Sequence, residues 1–522
     1  MTLKTTRRRF LEFGASGFGL AVAGFPGLCR PASAAGLRSR YLINLQSFGG
    51  VDSAWGHSPM LVRDTTGLST AQLVNFYGVY PDAPRFPDNL AKPMGNGVLG
   101  ITMNAFTSSE LNRMAILRGM MAEGSHDVGN RMMQNGHLSG YAACFSTIVA
   151  DALARSPDRL RPLHYVQITD TPADFRSQVG FFHGPGIPLN IADSPTWAKL
   201  SASDPKNPAN SAQLKELLNT SIETLATTTG GALAANSSRK LFTEDFVTSY
   251  SSADSIIGKN YAQSAAFLAC IERYKAAVLT DLNALLLGSA TKPYTSEVLK
   301  NYPAFANVTA TGLEAALNGE FGPGGLSNVV FPFALADFLV TSDLSAVVDA
   351  PIPGGDFHDF NERDMLRSAA NMACLRALIN RLASVPAPGE TGKSLLDQTL
   401  IVYSTEFDRQ VARTVNASAN STRPGTNHGS TSSAILAGYR VKGNKIVGGR
   451  ATGSGGQFGA IDEAFLSPLP IDVTTGDPIA TGEYYAQRSL LPTVLEIFGL
   501  SVPSQQKTEM VSISAIIKPD TT

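Results

Sequence analysis

The chain has 522 residues, long enough for several domains or for one large α/β core with insertions, and the single core is the expected organisation. Charged residues make up 16% and the formal net charge is -1, which excludes a general electrostatic attraction to nucleic acid or to an anionic lipid surface. Cys144, Cys270 and Cys374 stand far apart with no C-x-x-C pair, which excludes a disulfide scaffold and a thiolate metal site.

The amino-terminal stretch reads as an address. Arg7, Arg8 and Arg9 precede Phe10 and Leu11, matching a twin-arginine pattern, and the apolar run over 18–28 is too short and glycine-rich to span a bilayer. Small residues at 32–35 suit a signal peptidase, and Leu28 before Cys29 argues against a lipid anchor. The expectation is a signal peptide over 1–35 and a mature domain over 36–522, exported by the twin-arginine translocase to the periplasm or beyond, with no stable membrane span. That route carries folded proteins and so favours a chain that acquires a metal before export.

In the mature chain, 40–46 predicts a first buried strand, followed by Gly49 and Gly50, which permit a tight turn, and by Asp52 on that turn. Asp52 is either an ordinary turn aspartate or a ligand. Prolines at 81, 84, 87 and 93 make 64–106 loop-like. A second strand over 114–118 leads to Ser125 and His126 at the start of a helix running to Gly136. Backbone N–H groups and the dipole at a helix start favour an anion and can activate a nucleophile; simple capping by Ser125 is the alternative. A helix over 145–154 and a strand over 163–169 follow, with His164 and His183 expected as structural histidines. The span of about 171–326 changes character, with helical patterns at 211–227, 240–250 and 262–287, and reads as a helical insertion.

The core resumes with a helix over 331–341 and a strand over 344–349, after which Asp356 and His358 form a D-x-H pair able to face one metal. A helix over 362–383 leads to a strand over 399–403, whose end carries Glu406, Asp408 and Arg409. A polar loop then reaches His428, and a strand over 433–438 would return it beside Glu406. Glu and His on neighbouring strand ends suit zinc, manganese or iron. A terminal helix spans 488–499.

The ordered set of G-G-x-D after the first strand, S-H after the second, G-G-D-x-H, T-E-F-x-R and T-x-H-G resembles the twin-arginine-exported family called "domain of unknown function 1501", which is similar to the alkaline phosphatase and sulfatase superfamily. The resemblance covers about 41–503. It implies an alkaline-phosphatase-like α/β/α sandwich with a mostly parallel central sheet and a divalent metal centre, with zinc, manganese, calcium and iron not distinguished. Matched by position, Asp356, His358 and His428 resemble one ligand group, and Glu406 with Asp52 a second. Ser125 or His126 falls where the superfamily keeps its nucleophile, a bound water being the alternative, and Arg409 would bind an oxyanion.

The chain departs from the family pattern at several positions. The tryptophan of G-G-W-D-T-H is absent, Asp408 and Asn427 replace the usual Gly and Asp, Phe407 takes the slot of a histidine ligand, and no C-x-P-x-R sequence is present. Two functions follow as expectations. One is a metal-dependent hydrolase of phosphate or sulfate esters, small or polymeric. The other is a catalytically degenerate binding or cell-envelope assembly protein of the same fold.

Overall fold

Alternation of buried side chains to two opposite faces organises the molecule, and β1, Tyr41–Ser47, shows it best. Tyr41, Ile43 and Leu45 enter one apolar core while Leu42 enters another. The computed structural model describes residues 40–51, 53–59, 87–122, 125–137, 142–154, 161, 163–168, 188–191, 193–201, 261–300, 302–352, 361–414, 425–429, 431–448, 470–479, 486–503 and 511–519. The expected signal peptide and the helical patterns at 211–227 and 240–250 lie outside them, as does His183.

After β1 come β2 Lys92–Met94 and β3 Gly97–Leu99, a small antiparallel hairpin, then β4 Met114–Met121. The hairpin falls inside the stretch expected to be loop, and Pro93 is tolerated there because a two-stranded ribbon is all edge. Helix α1, His126–Asn135, and α2, Phe145–Ala154, follow, then β5 Tyr165–Ile168 and β6 Leu189–Ile191. Helices α3, Ala265–Leu287, and α4, Gly325–Thr341, lead to β7 Val347–Ile352 and α5 Asn361–Ser384. The chain closes with β8 Thr399–Thr405, β9 Arg409–Thr414, β10 Gly425–His428, β11 Thr431–Gly438, β12 Lys445–Val447 and α6 Leu490–Ile497. Part of the polar loop expected after Arg409 is thus a second hairpin, β9 against β10.

Eight strands form one sheet in the order β12-β4-β11-β8-β1-β7-β5-β6. Every neighbouring pair is parallel except those made by β11, which runs against β4 and β8, so all strands but β11 share one direction. Helices cover both faces, as parallel strands buried on both sides require. On one face α3, α4 and α5 enclose a core with Ile43, Val348, Ile401 and Ile435. On the other α1, α2 and α6 pack over Leu42, Val347, Leu400 and Leu436. Helix α3, inside the expected insertion, packs on α4 and α5 and shares their apolar core. Among the described residues no single helix is long and apolar enough to cross a membrane.

Candidate functional site at the carboxyl edge of the sheet

β1, β4 and β8 share a direction, so Ser47, Met121 and Thr405 end on one edge, the side on which open α/β sheets bind ligands. β11 runs the other way and begins there, which returns His428 to the same edge. Toward this edge the α1/α2 face of the sheet changes from apolar to polar at alternate positions. On β1 the series is Leu42, Asn44, Gln46; from β8 onward it is Leu400, Val402, Ser404, Glu406; on β7 Val347 gives way to Asp349. These polar side chains are buried. Each buried polar group must find partners, and α1 supplies several of them.

Glu406 is at the centre. The backbone N–H of Gly49 donates to its Oε1 at 2.5 Å, Asn130 Nδ2 donates to its Oε2 at 2.5 Å, and His126 Nδ1 lies 2.7 Å from Oε1. Gln487, just ahead of α6, donates its side-chain amide to the Glu406 carbonyl. Burial raises the Glu406 carboxyl above its ordinary range, while His126 and the bonds from Gly49 and Asn130 act against that rise. With the carboxylate accepting at Nδ1, the neutral imidazole carries its proton on that nitrogen.

His126 is the first residue of α1, and its side chain is 43% exposed although its partner Glu406 is fully enclosed. Ser125 before it is exposed and occupies the N-cap position, yet its side chain makes no capping hydrogen bond. Capping therefore does not account for the serine. The His428 ring stands edge-on to His126 with centroids 4.6 Å apart, and Phe407 stacks on His428 at 4.1 Å. Phe407 also meets His126 at 5.2 Å. Gly50 makes room for this ring: its φ is 76°, and a Cβ there would fall 2.5 Å from Phe407. The second glycine of the turn thus admits Phe407 rather than a ligand.

Arg409 is buried, with Nη2 donating to the Gly49 carbonyl at 2.5 Å and its backbone N–H to Val51 at 2.9 Å. It braces the turn after β1 through these two bonds. Asp408 points away into a separate buried cluster: Ser433 Oγ donates to its Oδ1 at 2.6 Å, Thr431 Oγ1 lies 3.3 Å from Oδ2, and His57 Nε2 lies 2.5 Å from Ser433 Oγ. Bonds from Asp408 to Thr431 and from Gly429 to Asp408 then tie the two strand ends together. Sequence reasoning missed His57, Ser433, Asn130, Gln134, Asn44 and Gln46. The signal for the last four was the polar residue at alternate strand positions and at i, i+4 on the helix.

Of the residues expected at the site, Ser125, His126, Glu406 and His428 come together; Asp52, Asp356 and His358 lie outside the described residues. Among the described residues no group of three His, Cys, Asp or Glu is arranged to hold a metal ion. Both Glu406 oxygens accept hydrogen bonds, and Phe407 packs against both histidine rings, which also touch each other edge-on. A cavity of about 500 Å³ lies elsewhere, among Leu90, Ile101 and Leu285, and no candidate residue lines it. Comparison of the chain with family models, curated proteins and solved structures finds no match.

Proposed function

We propose that the chain is an exported hydrolase of phosphate or sulfate esters whose acid–base group is His126 held by Glu406. The observation that carries this reading is the 2.7 Å contact between a partly exposed imidazole and a fully buried carboxylate at the carboxyl edge of the sheet. Glu406 orients the ring, fixes its tautomer and stabilises the imidazolium, which lets His126 protonate a leaving oxygen. The nucleophile is the Ser125 hydroxyl or a water in its place. Substrate class, twin-arginine export and the periplasmic or secreted location rest on the sequence resemblance and the amino-terminal pattern.

A second reading, a non-catalytic binding or envelope-assembly protein, is favoured by Phe407 packed against both histidines and by the burial of Arg409 beside the Gly49 carbonyl. Turnover of aryl phosphate and aryl sulfate esters by the purified mature protein separates the two, run beside His126→Ala and Ser125→Ala. Under the hydrolase reading His126→Ala loses ~10²- to 10⁴-fold in rate, the usual worth of positioned acid–base catalysis. Loss in Ser125→Ala identifies the serine as nucleophile, and its retention identifies water. Elemental analysis of wild type and His428→Ala reports metal independently. No turnover with any ester, with or without added divalent metal, sinks the hydrolase reading.

A further inference from the structure

Helix α1 is docked on the sheet by amides where an α/β layer is ordinarily apolar. Its buried face carries Gly129, Asn130, Met133, Gln134 and Asn135. Gln134 Oε1 accepts from Asn44 Nδ2 at 2.7 Å, and its Nε2 lies 3.3 Å from Ser404 Oγ. One turn nearer the helix start, Asn130 Oδ1 accepts from Gln46 Nε2, while Asn130 Nδ2 donates to Glu406 Oε2 at 2.5 Å. Asn130 and Gln134 are four apart on the helix, and Gln46 and Asn44 are two apart on β1, so two parallel rungs join them.

The two rungs differ in one respect. Gln134 ends in the sheet, but Asn130 bridges the sheet to the carboxylate that holds His126.

We propose that Asn130 is a positioning residue for His126: oriented by Gln46, it fixes the Glu406 carboxylate plane and so selects the imidazole tautomer with the proton on Nδ1. A hydrogen bond is directional and fails with a small rotation, whereas apolar contact tolerates sliding. The amide pair sets the rotation and axial position of α1, and the residue at the start of that helix inherits both. Asn130 touches no reacting atom in this scheme; it acts through Glu406. This inference deepens the hydrolase reading by adding a support to its acid–base group, and its test does not require turnover.

The experiment is nitrogen-15 NMR of histidine-labelled mature protein, with the His126 ring signals identified by their loss in His126→Gln. Melting temperature is recorded alongside for wild type, Asn130→Leu and Gln134→Leu. Both leucine variants lose one rung and are expected to melt lower. Only Asn130→Leu is expected to move His126 from a single Nδ1–H form to a mixture of two tautomers. If Asn130→Leu does not fold, Asn130→Ala decides, since it removes the donor facing Glu406 without adding bulk or charge; it too should give the mixture. Unchanged His126 signals in the folded Asn130 variant, or an equal change in Gln134→Leu, overturn the proposal. A tautomer shift in a protein that hydrolyses no ester leaves this role standing and removes the hydrolase reading alone.

Discussion

The two faces of the central sheet are built from the same strands but solve different problems. Toward α3, α4 and α5 the sheet presents Tyr41, Ile43, Leu45, Ile401 and Tyr403 before Ser47 and Thr405 end the same rows, and α4 is buried almost throughout with Phe333, Leu335 and Leu339. Toward α1 and α2 apolar contact stops part way along the strands, and Asn44, Gln46, Asp349, Ser404 and Glu406 take over. The first face supplies stability through area removed from water, which is non-directional. The second exchanges part of that gain for hydrogen bonds that hold one geometry. The amide docking of α1 lies next to the edge where His126 and His428 meet.

Breaking the apolar face should have the largest effect on stability. Phe333→Ala, at a fully buried position, is expected to cost about 3–5 kcal/mol in denaturant unfolding. Glu406 should keep its contacts in the folded variant, because the cavity opens on the far face.

The polar face should reveal itself through pH. Burial lowers the His164 imidazole to about 4, and its neutral ring lies with Nε2 2.9 Å from the Ala150 carbonyl of α2. The unfolded chain takes up a proton near 6.5 that the folded chain refuses until about 4. Stability from this group is therefore complete above the unfolded value and is lost as pH falls through that window, by roughly 3 kcal/mol in all. His164→Gln, which keeps a donor without the titration, should flatten the slope of unfolding free energy against pH between those limits. An unchanged slope would show that another group carries the acid sensitivity.

A smaller effect sharpens the contrast between directional and non-directional packing. Asp349 accepts from Tyr165 OH at 2.5 Å, Ser146 Oγ at 2.5 Å and Asn44 Nδ2 at 2.8 Å, all fully enclosed. Asp349→Asn preserves shape but faces the Tyr165 hydroxyl with an N–H₂ group, so that hydroxyl must give up its bond to the carboxylate and accept instead, at about 1–3 kcal/mol. Urea titration beside Val348→Ala, its neighbour facing the apolar core, tests whether chemistry or volume dominates at each face. Equal tolerance of the aspartate change would mean that the polar cluster does not specify geometry.

Much of this was legible in the chain itself. Period-two and short β-branched runs located β1, β4, β8 and β11, and α2 falls at the limits its sequence predicts, because burial on both faces leaves an unbroken apolar signature. The change from strand to polar cluster also marked Glu406 and the start of α1. Only the tertiary structure assigned partners. Arg409 has the right chemistry for an oxyanion, and the fold sets it beside the Gly49 carbonyl; Asp408, where the family pattern has Gly, meets Ser433, with His57 beyond it. Asn130 and Gln134 share one face of α1 by their spacing, but only the fold shows that Gln46 and Asn44 of β1 meet them. Periodicity records which face a residue occupies, since that depends on the local backbone; what it meets across the interface depends on residues 84 or 90 positions away, which no local pattern encodes.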